Sequence, residues 1–316
     1  MMKMGISKED AILIIGGSGF IGRHLAEKCL ELTPSVTCLG LPEDERDLKG
    51  ASFLRADIRS AKGLKKILSG KQFDHVFNLS GYIDHAPYFQ GGRRAIESHF
   101  VGLMNLAECL NSKRLKSFVN VGSSDEYGNA KAPQKESMRE SPISPYAFSK
   151  TASAYFIKML HNSEGFPGVV LRLFLVYGPG QDNKRFLPQI IKGCLENKVF
   201  KTSKGVQTRD FCYIDDVVEV IIKAATSKAA KGHVINIGSG KPVLVKDVVK
   251  KVMALTGGGR PIFGSHPYRK NENMKICADI GLAKRILKWK PRTNIDDGLR
   301  RTIDYYKNNM VTGRRQ

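Results

Sequence analysis

The sequence predicts an α/β protein in which a doubly wound parallel sheet is joined to a smaller C-terminal α/β lobe. Short runs of β-branched residues alternate with amphipathic segments of helical period, and this alternation is typical of parallel sheets that helices cover on both faces. A chain of 316 residues is also long enough to bury a large core. The predicted strands span residues 12–15, 36–39, 76–79, 118–121, 169–174 and 234–237.

Between the first two strands, Ile21, Leu25, Cys29 and Leu32 fall on one helical stripe and complete a β-α-β unit. Further helices are expected at 92–110, 145–161, 187–196, 217–225 and 244–255. The breaker-rich stretch 178–183 suggests a lobe boundary. We therefore expect a first lobe over 1–176, to which 210–237 return, and a second lobe over 177–316.

The composition favours a cytoplasmic protein with no membrane span and no nucleic-acid partner. The formal charge is +21, but lysine and arginine are spread over the whole length, as on a solvated surface. The six cysteines are scattered, and no histidine cluster has metal-ligand spacing, so neither disulfides nor a metal site is expected. The first apolar run is far too short for a signal-peptide core.

A glycine turn follows the first strand and opens the first helix. Gly16 permits the tight turn, Gly19 lets backbone N–H groups approach a pyrophosphate, and Gly22 lets the helix pack closely on the strand. The helix N-terminus favours the negative charge of the same group. The sequence therefore predicts a dinucleotide site in a Rossmann-type lobe.

Tyr146 and Lys150 form a second motif, because residues four apart share one face of a helix. An ammonium group near a phenol favours the phenolate, so the pair predicts a tyrosine whose pKa is lowered toward the range of a general acid or base. The stretch that ends at Ser123 and Ser124 brings hydroxyl groups to the carboxyl edge of the sheet, where such sheets bind ligands.

Together these motifs resemble the extended short-chain dehydrogenase/reductase family, which includes the NAD(P)-dependent nucleotide-sugar epimerases, dehydratases and 4-ketoreductases. The spacing Gly-x-x-Gly-x-x-Gly with Tyr-x-x-x-Lys is similar to the family pattern, and the similarity extends over nearly the whole chain. The blocks that carry it are 16–22, 56–58, 123–128, Tyr146 with Lys150, 172–180, 207–211 and 236–238.

The resemblance implies NAD or NADP, a nucleoside-diphosphate sugar as substrate, and a homodimer built on the helices at 92–110 and 145–161. The implied cofactor contacts are Gly16, Gly19, Phe20, Ile21, Gly22, Asp57, Ile58, Leu79, Ser80, Tyr146, Lys150 and Phe174. Gly40 stands where NAD enzymes of this group usually carry an acid, and Arg46 lies nearby as a partner for a 2′-phosphate, so the prediction leans slightly to NADP.

The implied catalytic residues are Ser123, Tyr146 and Lys150. Inserting one gap would make Ser124 the reacting hydroxyl, and Asp125 and Glu126 are auxiliary candidates because related 4,6-dehydratases use a neighbouring acid and base. The loop here is one residue shorter, which favours a 4-ketoreductase or an epimerase, with a 4,6-dehydratase as the alternative.

Arg209 and Arg269 are the implied contacts to the substrate diphosphate, and no metal is expected. Leu175 stands where relatives carry a phosphate-binding asparagine, so the sugar and the nucleotide stay open. His99 is expected to be structural. Two less favoured hypotheses are an RNA-associated relative without catalysis and a reductase of a ketone without a nucleotide.

Overall fold

The computed structural model describes residues 5–44, 48–110, 113–268 and 271–311. Its main feature is a sheet of seven parallel strands in the order β10-β6-β5-β4-β1-β2-β3. Their bounds are β1 Ile12–Ile15, β2 Val36–Gly40, β3 Ser52–Arg55, β4 His75–Asn78, β5 Ser117–Ser123, β6 Gly168–Leu173 and β10 Val234–Ile237. The strand order reverses between β1 and β4, which makes a topological switch point there. The predicted doubly wound α/β fold is confirmed.

Helices cover both faces of this sheet. They are α1 Phe20–Leu30, α2 Ala61–Leu68, α3 Arg93–Ile96, α4 Gly102–Leu110, α5 Pro145–Glu164 and α7 Ile214–Thr226. Alternate residues of β1 serve opposite faces: Ile12 and Ile14 join a core with α1 and α7, whereas Leu13 and Ile15 join a core with α2, α4 and α5. The strand is buried on both faces, which explains its uninterrupted apolar sequence.

Two features of this region were not predicted. Strand β3 lies at the edge of the sheet, and its residues are only half-buried or exposed, so it lacks the continuous apolar run of a central strand. The helix expected at 92–110 is interrupted by a π-helical turn at Glu97–Val101 that connects α3 to α4. Such turns re-aim side chains within a helix, and this one carries His99 toward Tyr146.

The C-terminal part of the chain builds a smaller α/β lobe. Strands β7 Leu175–Tyr177, β9 Thr208–Tyr213 and β11 Pro242–Leu244 form one small sheet, and β8 Val199–Thr202 pairs with β12 Arg260–Phe263 in another. Helices α6 Phe186–Leu195, α8 Val245–Thr256, α9 Gly281–Leu287 and α10 Ile295–Val311 complete the described structure. Of the segment 210–237, β10 joins the large sheet while β9 stays with the small one. The division into two lobes at 176 stays a prediction.

Candidate functional site

The glycine turn lies at the carboxyl edge of β1, and its backbone packs so closely that side chains at Gly16 and Gly22 would clash with neighbouring carbonyl groups. Gly16 has a φ of +76°, and a Cβ there would lie 3.0 Å from the Leu79 carbonyl oxygen. A Cβ on Gly22 would lie 2.1 Å from the Gly16 carbonyl oxygen. Gly19, just before α1, is exposed, so a pyrophosphate can approach the backbone at the start of this helix and the turn fits a dinucleotide.

The other implied cofactor contacts differ in how close they lie to this turn. Leu79 and Ser80 follow β4 and lie against Gly16, where they border the turn. Phe20 and Ile21 begin α1 and are half-buried. Asp57 is held by Arg59, whose Nε lies 2.9 Å from the carboxylate, and this contact lowers the Asp57 pKa.

Two further predicted contacts lie in the protein interior. Ile58 is buried against Gly102 of α4, and its carbonyl accepts a hydrogen bond from the Asn105 side chain at 2.9 Å. Phe174 is buried between β6 and β7, in a cluster with Tyr127, Ala278 and Ile280. Both side chains therefore pack in the interior of the protein.

Helix α5 brings the two motif residues to the same cleft. Ser144 caps the helix, its hydroxyl accepting the Ala147 N–H at 3.1 Å, and proline occupies the first helical position. Tyr146 and Lys150 then share the buried face one turn apart. The Lys150 ammonium donates to the Val121 carbonyl of β5 at 2.8 Å.

The pKa values of this pair are set mainly by burial. Burial lowers the Lys150 pKa to about 8, although the Glu126 carboxylate opposes this change. Burial and the charge of Asp125 raise the Tyr146 pKa well above its usual value, while a hydrogen bond with Ser123 lowers it. The pKa of the phenol is therefore raised in the protein alone, opposite to the direction expected from Lys150, because desolvation of the phenolate is the largest cause acting on it.

Ser123 ends β5 and faces Tyr146. Its hydroxyl interacts with the phenol and also accepts the Asp125 N–H at 3.2 Å. Ser124 begins the short 3₁₀ turn Ser124–Tyr127 that follows. The geometry thus favours Ser123 as the reacting hydroxyl, as the alignment without a gap suggests.

Glu126 is fully buried and has a structural role. Its carboxylate accepts the Ser123 N–H at 2.8 Å and the Arg172 Nε–H at 2.7 Å, and Arg172 also pairs with Glu140. The loop backbone and the buried guanidinium thus hold this carboxylate in the core. Of the two auxiliary acids, Asp125 is partly exposed and its charge acts on Tyr146. Glu126 is buried and binds the backbone of the loop at Ser123.

Two histidines beside Tyr146 were missed or given no role by the sequence. The His99 ring packs edge-on to the Tyr146 ring with centroids 5.2 Å apart, and burial lowers the His99 pKa to about 3, so this imidazole is neutral. The His85 ring packs on Tyr146 with centroids 5.6 Å apart, and its Nε2 lies 3.6 Å from the Asp125 carboxylate. Its position just beyond β4, at the carboxyl edge of the sheet, was the available signal.

Arg209, on β9, is the described member of the predicted phosphate-binding pair. Its guanidinium pairs with Glu272 and donates to the carbonyls of Thr208 at 2.8 Å and Asn273 at 2.9 Å. The carboxylate fixes the orientation of the guanidinium in the second lobe. Arg269 lies outside the described residues, as does Arg46.

The described ranges contain neither a group of metal-binding side chains nor a helix suited to a membrane. Across residues 5–44, 48–110, 113–268 and 271–311, His, Cys, Asp and Glu side chains form no group able to hold a metal ion. In this same portion of the chain, none of the helices has the length and apolar character needed to cross a membrane.

A glycine turn for a dinucleotide beside a Ser-Tyr-Lys group defines a nucleotide-dependent oxidoreductase fold, and the chain belongs to the NAD dependent epimerase/dehydratase family. The family profile matches residues 12–238. A relative named UDP-glucuronate 4-epimerase, from Thermodesulfobacterium geofontis, is 28% identical, with 94% of this chain and 96% of the relative covered. A relative named dTDP-glucose 4,6-dehydratase, from Shigella flexneri, is 27% identical over 93% of this chain and 92% of its own length.

Solved structures agree with this assignment. UDP-glucose 4-epimerase from Thermotoga maritima with UDP-glucose is 26% identical, with a TM-score of 0.86 over 95% of this chain and 99% of that one. UDP-glucuronic acid 4-epimerase from Bacillus cereus, in complex with UDP-glucuronic acid and NAD, is 28% identical, with a TM-score of 0.82 over 94% and 99% of the two chains.

Proposed function

We propose that this protein is an NAD(P)-dependent 4-epimerase of a UDP-sugar. The observation that carries the proposal is the grouping of Ser123, Tyr146 and Lys150 at the carboxyl edge of the sheet, beside a glycine turn that fits a dinucleotide. Relatives and solved structures named as UDP-sugar 4-epimerases support the choice of sugar nucleotide.

In the proposed reaction, Tyr146 takes the proton of the C4 hydroxyl and Ser123 hydrogen-bonds the same oxygen. Bound NAD(P) would supply the acceptor for the C4 hydride; inversion requires that this hydride come back to the opposite face of the 4-keto carbon while Tyr146 returns the proton to the C4 oxygen. Lys150 would hold the nicotinamide ribose, and its ammonium lies 6.0 Å from the centroid of the Tyr146 ring. The positive charge of Lys150 favours the phenolate, which burial alone disfavours. Arg209 binds the diphosphate, and we keep Arg269 as its second partner.

The site supports epimerisation over 4,6-dehydration because elimination of water needs an acid and a base next to C5 and C6. Glu126 is enclosed by Arg172 and cannot supply either function. Both loop carboxylates act on Tyr146, but of the two only Asp125 is partly exposed. Reduction of a 4-keto sugar would use the same three residues as epimerisation. The masses of the products distinguish these two reactions.

The test is incubation of wild type and Tyr146→Phe with UDP-, GDP-, CDP- and dTDP-sugars and their 4-keto forms, with products read by mass and NMR. We expect an unchanged mass with inverted C4 for a UDP-sugar, and loss of turnover in Tyr146→Phe. Loss of water would identify a dehydratase, and gain of two hydrogens a ketoreductase. Turnover of ketones that lack a nucleotide, unaffected by Arg209→Ala, would reject the sugar-nucleotide assignment.

For the cofactor, we propose that the cleft accepts NADP as well as NAD. Strand β2 ends at Gly40, which carries no acid to repel a 2′-phosphate, and Arg55 lies opposite it in the register with β3. Calorimetric titration with both nucleotides tests this. A dissociation constant for NADP more than about 100-fold above that for NAD, a difference of about 2.7 kcal/mol, would reject it.

We further propose that the protein works as a cytoplasmic homodimer. Phe148, Tyr155 and Met159 are each about half-exposed on α5 and lie on one stripe of that helix. An apolar helical stripe of this kind suits a second copy of the same face in a four-helix arrangement. The six cysteines are free thiols, as expected in a reducing compartment.

A further inference from the structure

Ser123 is held through both its backbone and its side chain in the turn that follows β5. Its N–H donates to the Glu126 carboxylate at 2.8 Å, and its hydroxyl oxygen accepts the Asp125 N–H at 3.2 Å. This reciprocal pattern is a capping box at the start of the 3₁₀ turn Ser124–Tyr127. One short turn therefore fixes the backbone and the hydroxyl of the same serine.

The bond from Asp125 limits the directions in which the Ser123 hydroxyl can point. A serine hydroxyl has one proton and two lone pairs. The Asp125 N–H occupies one lone pair, so the proton and the other lone pair remain for the Tyr146 phenol and for a substrate oxygen. Rotation of the side chain to another rotamer would break the bond from Asp125. The turn therefore keeps the hydroxyl directed at the phenol.

Gly122 makes room for the carboxylate of this turn. A Cβ at Gly122 would lie 2.5 Å from Glu126 Oε1, which is the oxygen that accepts the Ser123 N–H. The φ of Gly122 is not positive, so the backbone conformation of β5 does not itself require glycine. The approach of Glu126 is the tightest contact that a side chain at this position would make.

Arg172 fixes the same carboxylate from its other side. The Arg172 Nε–H donates to Glu126 Oε2 at 2.7 Å, so each oxygen of the carboxylate accepts a hydrogen bond. The guanidinium also pairs with Glu140 and lies over the Tyr127 ring, 4.8 Å from its centroid. The side chains of Arg172 and Glu126 are 1% and 0% exposed. Because both oxygens are engaged in the core, the carboxylate stays on the Ser123 N–H.

We propose that Glu126 is a positioning residue for the reaction: it holds the Ser123 backbone so that the turn directs the Ser123 hydroxyl at the phenol of Tyr146 and at the C4 oxygen of the substrate. This inference rests on the proposed function, which gives Ser123 its part in the chemistry at C4. Glu126 acts through Ser123, and Arg172 holds Glu126 in place.

The experiment compares two variants that both carry Arg172→Met. In the first, Glu126→Gln keeps an oxygen for the Ser123 N–H, whereas in the second, Glu126→Met fills a similar volume without an acceptor. Each variant loses both charges of the buried pair, and replacement of such a pair by uncharged side chains is often neutral for stability. The two variants therefore differ in whether the Ser123 N–H has an acceptor, and the first is the matched control for the second.

Turnover is measured on the sugar nucleotide that wild type converts. We expect kcat to be about 30-fold lower with Glu126→Met than with Glu126→Gln, because loss of one oriented hydrogen-bond donor in an active site costs about 100- to 1000-fold and a freed hydroxyl still points correctly part of the time. KM should agree within about threefold, since substrate binding is not affected. In a Ser123→Ala background the two variants should have equal kcat, because the hydroxyl that Glu126 positions is gone.

Gly122→Ala tests the same role with both charges retained, so it stays informative if the paired variants do not fold. Its Cβ displaces Glu126 Oε1, and we expect kcat to fall about 10-fold with little change in KM. Hydrogen exchange of the peptide that contains Ser123, followed by mass spectrometry, needs no turnover. The Ser123 N–H should exchange about 10-fold faster with Glu126→Met than with Glu126→Gln.

Three results would overturn the proposal. They are an equal kcat or equal exchange in the two paired variants, a kcat difference of the same size in the Ser123→Ala background, and an unchanged kcat in Gly122→Ala. Absence of turnover in wild type would instead reject the proposed function, while the exchange experiment still reports whether Glu126 holds the Ser123 N–H. The two failures are therefore distinguished.

Discussion

Replacing Lys150 by methionine should abolish activity and at the same time stabilise the protein without cofactor. Lys150 is buried on α5, and its ammonium donates to the Val121 carbonyl. Burial of this cation opposes folding whenever the lysine is protonated, because the charged form loses its hydration. Methionine fills a similar volume without a charge.

The size of the effect follows from the pKa. Burial lowers the Lys150 pKa from 10.5 to about 8. At pH 7 this difference costs about 3 kcal/mol of folding free energy, at about 1.4 kcal/mol for each pH unit. Lys150→Met removes this cost, but it also loses the hydrogen bond to Val121, which offsets about 1 kcal/mol of the stabilisation. We expect Lys150→Met to raise the free energy of unfolding at pH 7 by about 1 to 2 kcal/mol.

The pH dependence has a definite sign. Between the folded pKa near 8 and the unfolded pKa near 10.5, the unfolded chain binds a proton that the folded chain does not, so wild-type stability rises with pH. The advantage of Lys150→Met is therefore full below pH 8 and disappears as the pH approaches 10.5. Urea unfolding followed by circular dichroism at several pH values measures it.

The matched control is Lys158→Met, which removes an exposed lysine two turns further along the same helix and should change stability little. If Lys150→Met is less stable than wild type at neutral pH, or if its advantage is the same at both ends of the pH window, the assigned cost of the buried cation is wrong. Retained turnover in Lys150→Met would reject the catalytic role of the lysine.

Three further outcomes are expected. Gly22→Ala places a Cβ at 2.1 Å from the Gly16 oxygen, so NAD should bind at least about 10-fold more weakly by calorimetry; unchanged affinity would show that the turn does not hold the cofactor. Burial alone would raise the pKa of the Asp74 carboxyl, but its hydrogen bonds and ion pairs lower this pKa to about 2. Asp74→Asn should therefore lower the free energy of unfolding at pH 7 by about 1 to 2 kcal/mol, measured by urea unfolding. That deficit should shrink as the pH falls from about 4 toward 2, and a deficit independent of pH would contradict the ion-pair account. Tyr155→Arg should convert the dimer to a monomer in sedimentation, whereas Val199→Arg, on the exposed part of β8, should not; a dimer that survives Tyr155→Arg is built on another face.

The central part of the fold was predictable because its signals are local. The apolar run of β1, the three glycines after it and the cap of α5 each fix a short stretch of backbone by sterics and hydrogen bonding. The strands that were predicted are those buried on both faces. Strand β3 was missed because an edge strand has one unpaired side, and its half-exposed residues carry little hydrophobic pattern.

The sequence by itself determined the doubly wound sheet, the dinucleotide turn and the pairing of Tyr146 with Lys150, because spacing along a strand or a helix sets these. Only the tertiary structure decided that Arg172 encloses Glu126, that Asp125 and His85 meet beside the phenol, and that burial raises the Tyr146 pKa. Those contacts join segments far apart in the chain, and the charge balance of a buried group depends on all the neighbours that folding brings around it.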